Sequence, residues 1–255
     1  TYTAVFNEIG SEEDYTVSLA TTAENVNAGE EFTVDVNITS NGNNSFYGAT
    51  IEVTYDNSKV TYDSASSICA TNFGITSSTS GNTSTLKIVG AAQSGYAMTD
   101  HAYTVATLGF KAKSDVTTGS AIFGIEDEPV VDQQYAVHSQ FVNRGDDISV
   151  NLWNLTVTFK AGINVNMATA TAHVKYNAAG LYTDTTYATP FTEPAPAAAD
   201  HYTLDDPVWY PGNGSNVSYS TISATAFTDN AVYIATASPS GFAVTLPEGV
   251  TVISG

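Results

Sequence analysis

The feature that most constrains the fold is a strict alternation of apolar and polar residues in two segments between Ala28 and Lys113. The apolar positions are Phe32, Val34, Val36 and Ile38 in the first segment and Ala49, Ile51, Val53 and Tyr55 in the second. Successive side chains of a β-strand point to opposite faces, so a period of two indicates a strand with one buried face. Both segments are therefore predicted to be strands that each turn one face to a hydrophobic core.

Similar segments recur through the first part of the chain, with short turn-forming clusters between them. The other predicted strands are Thr1–Phe6, Thr16–Ala20, Val60–Tyr62, Thr85–Val89, Thr104–Lys111, Ala121–Ile125, Ile148–Asn151 and Leu155–Lys160. The predicted turns, which are rich in Ser, Asn, Gly and Asp, are Ser40–Ser45, Ser77–Thr83 and Arg144–Asp147. Many short strands separated by such turns predict an all-β sandwich or barrel.

Three motifs in this region resemble those of the cohesin family. They are Gly29-Glu30 before a Val-rich strand, the corner Tyr55-Asp56-Asn57-Ser58-Lys59-Val60, and the strand Phe110-Lys111-Ala112-Lys113. Leu155–Lys160 is similar to the strand that closes a cohesin, so the resemblance extends over residues 15–160. It implies a cohesin-like jelly-roll β-sandwich, a first domain over residues 1–160, and capture of a dockerin-bearing protein by one sheet face.

Residues 161–255 have a different composition, with seven acids and a single base, Lys175. An alternating strand, a Pro-containing stretch, Trp209-Tyr210 and a final Ala-Val-Tyr strand resemble the internalin B-repeat, although His201 stands where that family usually has Gly. The resemblance implies a small β-grasp-like domain over residues 161–255. Pro190–Pro196 is predicted to be an extended loop, because proline cannot donate to a central ladder, and an interdomain tether is the alternative. The tail Phe242–Ser254 is expected to add a strand or to lead to a further domain.

The net charge of −19, from 26 acids and 7 bases, disfavours binding to nucleic acid or to an anionic membrane. It is compatible with a neutral polysaccharide or a protein partner that carries cations. No apolar run reaches the length of a membrane span, so membrane insertion is not expected. Cys69 is the single cysteine, which excludes an internal disulfide and a Cys-based zinc site. The composition is typical of a bacterial protein at the cell surface or outside the cell. No signal peptide is present at Thr1, so we expect the chain to be mature or trimmed.

The sequence contains no motif for a catalytic nucleophile, a zinc protease or a phosphate loop, so we do not expect an enzyme. The four histidines are scattered. The acidic groups Glu126–Glu128 and Asp205-Asp206 are expected to be solvated loop residues, since neighbours along a strand point to opposite faces. No cofactor is predicted. Calcium held by Glu126–Glu128 and Asp132 is a minor alternative without an EF-hand pattern.

Aromatic residues supply the predicted binding site, because flat rings stack on sugar faces at small entropic cost. The candidate carbohydrate-binding residues are Trp153, Trp209, Tyr210, Tyr182, Tyr187 and Asp205. A structural role competes with this hypothesis. In the B-repeat pattern Tyr202 and Trp209 correspond to core aromatics, and Trp153 fits either role.

These observations lead to three hypotheses for function. The main prediction is a non-catalytic, extracellular carbohydrate-binding protein that binds a plant polysaccharide such as starch, on a bacterial surface or in a cellulosome- or amylosome-like complex. The first alternative is a true cohesin that binds a dockerin. The second is an adhesin or structural spacer.

Overall fold

A computed structural model describes residues 15–126, 128–134, 137–139, 142–178, 180–212, 227, 229–241 and 248. The predicted strand Thr1–Phe6 lies outside these residues, as does the tail Phe242–Ser254 except for Glu248. The chain divides into two compact units, Thr1–Asn154 and Leu155–Gly255. Among the described residues, no helix has the length and apolar character needed to cross a membrane.

The first unit is a sandwich of two β-sheets. Its strands are β1 (Tyr15–Ala20), β2 (Asn25–Asn27), β3 (Glu31–Ser40), β4 (Ser45–Asp56), β5 (Val60–Cys69), β6 (Phe73–Ser80), β7 (Thr83–Ala97), β8 (Ala102–Ala112), β9 (Gly119–Ile125), β10 (Val130–Gln134), β11 (Val137–His138), β12 (Val142–Arg144) and β13 (Ile148–Trp153). The first sheet has the order β12-β1-β3-β8-β5. The second has the order β11-β10-β4-β9-β13-β2, and β7 also pairs with β4 while β6 pairs with β7. The predicted all-β sandwich is confirmed.

The core lies between the two sheets and is built from the alternating residues of β3 and β4. All eight apolar positions predicted to face inward are buried. Aromatic rings join the sheets at the centre, where Phe110 of β8 lies 4.8 Å from Phe123 of β9 and 5.1 Å from Tyr55 of β4, measured between ring centroids. Such edge-to-face pairs stabilise the fold by more than the burial of their apolar area alone.

The structure corrects the predicted turn Ser77–Thr83. Ser77–Ser80 complete β6, Thr83 begins β7, and Gly81 and Asn82 form the turn of the hairpin. Gly81 has a φ of 62°, in the left-handed region that glycine adopts most easily. The sequence was misread because the hairpin carries hydroxyl side chains, which are common in turns and also on solvent-facing strands.

The corner Asp56–Lys59, between β4 and β5, is fixed by side-chain hydrogen bonds. The Ser58 amide and hydroxyl donate to Asp56 Oδ1 at 2.8 and 2.5 Å. Burial alone would raise the pKa of Asp56. The bonds from Ser58 and the charges of Lys59 and Lys113 outweigh it and hold this pKa below its ordinary value.

We expect Asp56→Ala to destabilise the first unit by about 1 kcal/mol at pH 7, because two hydrogen bonds to a carboxylate are lost. A lowered pKa means that the stabilisation is present above the unfolded-state value of about 3.9 and is lost as the pH falls through the folded-state value. Denaturant unfolding should show that the difference in unfolding free energy between the unmodified chain and Asp56→Ala is smaller at pH 3 than at pH 7. Asp115→Ala, which removes the same charge from an exposed site, is the control. A difference that does not change with pH would contradict the role assigned to the carboxylate.

The second unit contains a mixed sheet and a short two-stranded sheet. Its strands are β14 (Leu155–Ala161), β15 (Val165–Asn166), β16 (Ala170–Val174), β17 (Leu181–Tyr182), β18 (Ala197–Ala198), β19 (Tyr202–Pro211) and β20 (Ala231–Pro239). The larger sheet has the order β17-β16-β14-β20-β19, and β15 pairs with β18. The first and last of these strands, β14 and β20, lie side by side and parallel at its centre.

This sheet corrects the predicted closing strand of the sandwich and the boundary after Lys160. Leu155–Ala161 pairs with β16 and β20 in the second unit, so the boundary falls between Asn154 and Leu155. In the first unit, Ile148–Trp153 lies near the β2 end of the second sheet, where it pairs antiparallel with β9 and parallel with β2. Two alternating strands follow each other with only Asn154 between them, and alternation does not reveal which sheet a strand joins.

Candidate functional site

The predicted aromatic site is not assembled as one surface. Trp209 is 2% exposed, and its ring packs edge-on against Phe159 with 5.1 Å between centroids. The next residue, Tyr210, is half-buried and points to the opposite side of β19. Trp209 is therefore a core residue of the second unit, and its ring is not available for stacking on a ligand.

Two other candidates do lie together. Tyr182 and Tyr187 contact each other edge to face, with centroids 5.6 Å apart, and Lys175 Nζ lies 5.7 Å from the centroid of Tyr187. Asp205, on β19, accepts a 2.7 Å hydrogen bond from the Ser238 hydroxyl of β20. The neighbouring Thr236 hydroxyl and the bond from the Ser238 hydroxyl lower the pKa of Asp205. This carboxylate thus ties two strands together.

Trp153 is the one candidate in the first unit. It ends β13, where Val150 and Leu152 are buried in the core, so alternation places its half-buried ring on the other side of the strand. Its carbonyl accepts a 2.9 Å hydrogen bond from the Ala28 amide.

The minor calcium alternative gains no support from the described part of the chain. Within it, no three His, Cys, Asp or Glu side chains are grouped closely enough to hold a metal ion. Asp127, at the centre of the predicted acidic group, lies outside the described residues. Calcium binding at this position stays a prediction.

The surface with the properties of a binding site is the outer face of the second sheet. Its outward residues are Gly74, Thr76 and Ser78 on β6, Thr85, Lys87 and Val89 on β7, Thr50, Glu52 and Thr54 on β4, Ile122 and Gly124 on β9, and Ser149 on β13. With strands about 4.8 Å apart, these five strands span roughly 20 Å. Most of the side chains are small, so few of them project far from the sheet.

Strand register arranges these residues in rows across the sheet. Val89 lies opposite Thr50 on one side and Gly74 on the other. In the next row, Glu52 lies opposite Lys87, and its Oε1 is 2.7 Å from Lys87 Nζ. Lys87 and Glu52 form an ion pair at an exposed site, where such a pair adds little to stability. Beyond this pair the row continues to Glu126, whose amide donates to the Glu52 carbonyl at 2.8 Å.

Two apolar side chains stand exposed on this face, on either side of the ion pair. Ile122 is 56% exposed and Val89 is 45% exposed. Close to Ile122, Gly124 leaves room for the Asp147 carboxylate, because a Cβ at position 124 would come within 2.9 Å of Asp147 Oδ1. The outer face thus combines apolar points, hydroxyl groups and few charges on a chain with a net charge of −19.

The outer face of the first sheet differs, because its polar groups bond to one another. The Thr107 hydroxyl donates to Asp35 and the Thr104 hydroxyl to Asn37, both at 2.6 Å. At Gly109, the hydroxyl of Ser67 accepts a 2.8 Å bond from the backbone amide. One exposed apolar residue, Ile68, lies on the edge strand β5. Hydroxyl and carboxamide groups bonded in this way offer less to a partner. On the second sheet the Thr54 hydroxyl also donates a bond, to the Gly124 carbonyl, but at a longer distance of 3.4 Å.

The outer face of the second sheet was not among the predicted sites, although the sequence carries a signal for it. Ile122 stands between Ala121 and Phe123, and Val89 follows Ile88, so each places an apolar side chain where the alternation requires a polar one. An apolar residue out of phase in a half-buried strand is left exposed to solvent, and exposed apolar positions can mark interaction sites.

The family model of the cohesin domain matches residues 16–151, which cover β1 to the middle of β13. Comparison with curated protein sequences gives no significant match.

Similar solved structures are cohesin modules. The sixth cohesin from scaffoldin B of Acetivibrio cellulolyticus, in complex with a mutant Cel5 dockerin, is 25% identical, with 55% of this chain and 99% of that chain covered and a TM-score of 0.45. A cohesin module from a family 33 glycoside hydrolase of Clostridium perfringens is 11% identical, with 53% and 96% covered and a TM-score of 0.43. A non-cellulosomal cohesin from the archaeon Archaeoglobus fulgidus is 12% identical, with 55% and 91% covered and a TM-score of 0.41.

The family match corrects the main functional prediction. A carbohydrate-binding protein that takes a plant polysaccharide such as starch was predicted, and this prediction is wrong, because more than half of the chain matches the cohesin model instead. The candidate aromatics give the physical reason for the error, since their abundance was taken for a sugar-binding surface while Trp209 fills a core.

Proposed function

Because the chain belongs to the cohesin family, we propose that its first unit binds a dockerin-bearing protein. The observation that carries the proposal is the family match over residues 16–151, which includes both sheets of the sandwich. The function is one of binding rather than catalysis, and we place it outside the cell, in a surface or scaffold assembly.

The docking surface in this proposal is the outer face of the second sheet. Protein interfaces combine a few buried apolar anchors with a surrounding polar rim. Val89 and Ile122 supply exposed apolar anchors, and the hydroxyls of Thr50, Thr54 and Thr85 supply polar neighbours. Sheet strands hold these side chains in fixed positions, so little ordering entropy is lost when a partner binds.

Charge outside this face favours a basic partner. With 26 acids and 7 bases, the chain attracts cationic surfaces over a distance set by the ionic strength. Long-range attraction of this kind mainly raises the association rate. The Glu52–Lys87 pair leaves the centre of the docking face close to neutral, so short-range selection there depends on shape and apolar contact.

The proposal is tested by titrating the full chain with a panel of dockerin modules in calcium-containing buffer, using native gels and then calorimetry. We expect at least one dockerin to form a one-to-one complex, with an association rate that falls as salt is added. An excess of an unrelated acidic β-sandwich protein serves as the control for non-specific charge attraction. If no dockerin forms a complex, the chain shares the family's fold without this function.

A further inference from the structure

The second unit joins its first and last described strands in a parallel pair. In β14 and β20 the aligned residues run from Val157 opposite Ala231 to Ala161 opposite Ala235. Antiparallel neighbours flank the pair on both sides, β16 beside β14 and β19 beside β20. The pair therefore lies in the interior of the sheet, where no edge is open to water.

Side-chain and backbone bonds extend the pair beyond both ends of the ladder. At one end, Asn230 Oδ1 accepts a 2.8 Å hydrogen bond from the Thr156 amide. At the other, the Gly162 amide donates to the Ala235 carbonyl at 2.9 Å. A Cβ on Gly162 would come within 2.4 Å of that oxygen, so glycine is needed for this last bond.

The inner side of the pair is shielded by the core of the unit. Val157, Phe159, Tyr233 and Ala235 are all buried. Phe159 stacks on Phe191, with 5.4 Å between ring centroids, and packs against Trp209. Hydrogen bonds next to such a core are hard for water to replace, because they lie in surroundings of low dielectric constant.

Parallel pairing decides how the unit responds to tension. A force that pulls the start of β14 and the end of β20 apart acts along both strands in opposite directions. The evenly spaced bonds of a parallel ladder then share the load and must break together. In a hairpin pulled open at its ends, by contrast, the bonds break one after another. Forced unfolding depends on the unfolding rate, which a barrier of many simultaneous bonds lowers.

We propose that the second unit is a tension-resistant spacer, in which β14 and β20 form a mechanical clamp against force along the chain. This role is independent of dockerin binding by the first unit. It gives the second unit a function that a flexible linker, which extends at low force, does not provide.

The experiment pulls the full chain by handles on its two ends in a single-molecule force instrument. Unfolding of the second unit is identified by its length increment of roughly 30 nm, at about 3.6 Å per residue. In a Cys69→Ser background, Ile163→Cys and Pro239→Cys provide a second pair of attachment points. Ile163 is 85% exposed and both sites follow the same end of the clamp, so the force then peels the strands apart.

We expect the second unit to rupture at a several-fold higher force when pulled through the chain ends than when pulled through residues 163 and 239. Equal rupture forces in the two directions would overturn the proposal, since a clamp is directional and thermodynamic stability is not. This comparison uses a folded protein in both arms, so it does not depend on a destabilising variant.

A matched pair of variants gives a second readout. Asn230→Ala removes the bond to Thr156 at the end of the clamp, whereas Asp205→Ala removes the Ser238 bond between β20 and β19. Asn230→Ala should lower the rupture force through the chain ends, and Asp205→Ala should leave it unchanged when their thermal midpoints are similar. Equal losses in both variants would show that general stability, and not the clamp, sets the force.

Discussion

Trp209→Ala is expected to destabilise the second unit by about 3–5 kcal/mol, the usual cost of removing a large aromatic side chain from a core. The indole is 2% exposed and packs edge-on against Phe159. Single domains are stable by only about 5–15 kcal/mol, so this loss is expected to leave much of the unit unfolded near 37 °C. Thermal unfolding followed by circular dichroism measures the effect, as a lower or absent transition for the second unit.

The neighbouring tyrosine is the matched control for Trp209. Tyr210→Ala removes an aromatic ring from the same strand, but from the half-buried side, and is expected to cost much less stability. The transition of the first unit should stay unchanged in both variants, because Trp209 belongs to the other compact unit. Similar stability losses in the two variants would contradict the assignment of Trp209 to the core.

Local patterning was enough to predict eight of the thirteen strands of the sandwich, whereas β2, β6, β10, β11 and β12 were not predicted. In β3 and β4 every second residue is apolar, and each of those residues is buried, because the period of a strand and the geometry of a sheet are local properties. The sandwich class follows from the same pattern, repeated in many short segments. The resemblance to cohesins rests on motifs such as the Asp56 corner, whose hydrogen bonds are also local.

Sheet membership, by contrast, depends on partners far away in the sequence. Leu155–Ala161 alternates in the way that a closing strand of the sandwich would, but it pairs with Ala231–Pro239 in the other unit. Nothing within the segment distinguishes these two pairings, since either would bury Leu155, Val157 and Phe159. The domain boundary was misplaced for this reason.

Residue type alone does not distinguish a ligand-stacking role from a core role for the candidate aromatics, because the environment of a residue depends on the fold. Aromatic rings are common both in sugar-binding sites and in β-sheet cores. The B-repeat resemblance implied a core role for Trp209, and the structure shows that this residue is buried. The proposed docking face consists mainly of Thr, Ser and Gly, which form no recognisable binding motif in a sequence. The strand register, which places Val89 beside Thr50 and Glu52 beside Lys87, shows that these residues share one face of the sheet.

Ile122→Asp is expected to weaken dockerin binding by about 30-fold or more, which corresponds to about 2 kcal/mol at an interface hot spot. Its side chain is 56% exposed on the outer face of the second sheet, so the free protein loses little packing when the residue changes. An aspartate at this position would have to lose its hydration inside the complex without a paired cation. Calorimetric titration with the dockerin that binds the unmodified chain measures the change, and an unaltered thermal midpoint confirms that the fold is intact.

Ile68→Asp separates a local effect from a general effect of charge. It makes the same chemical change at an isoleucine that is 70% exposed on the first sheet. Both variants add one negative charge, so any long-range repulsion or attraction is the same in each. If the outer face of the second sheet is the docking surface, Ile122→Asp should lose affinity while Ile68→Asp keeps it. The reverse result would move the docking surface to the first sheet, and equal losses would attribute recognition to net charge alone.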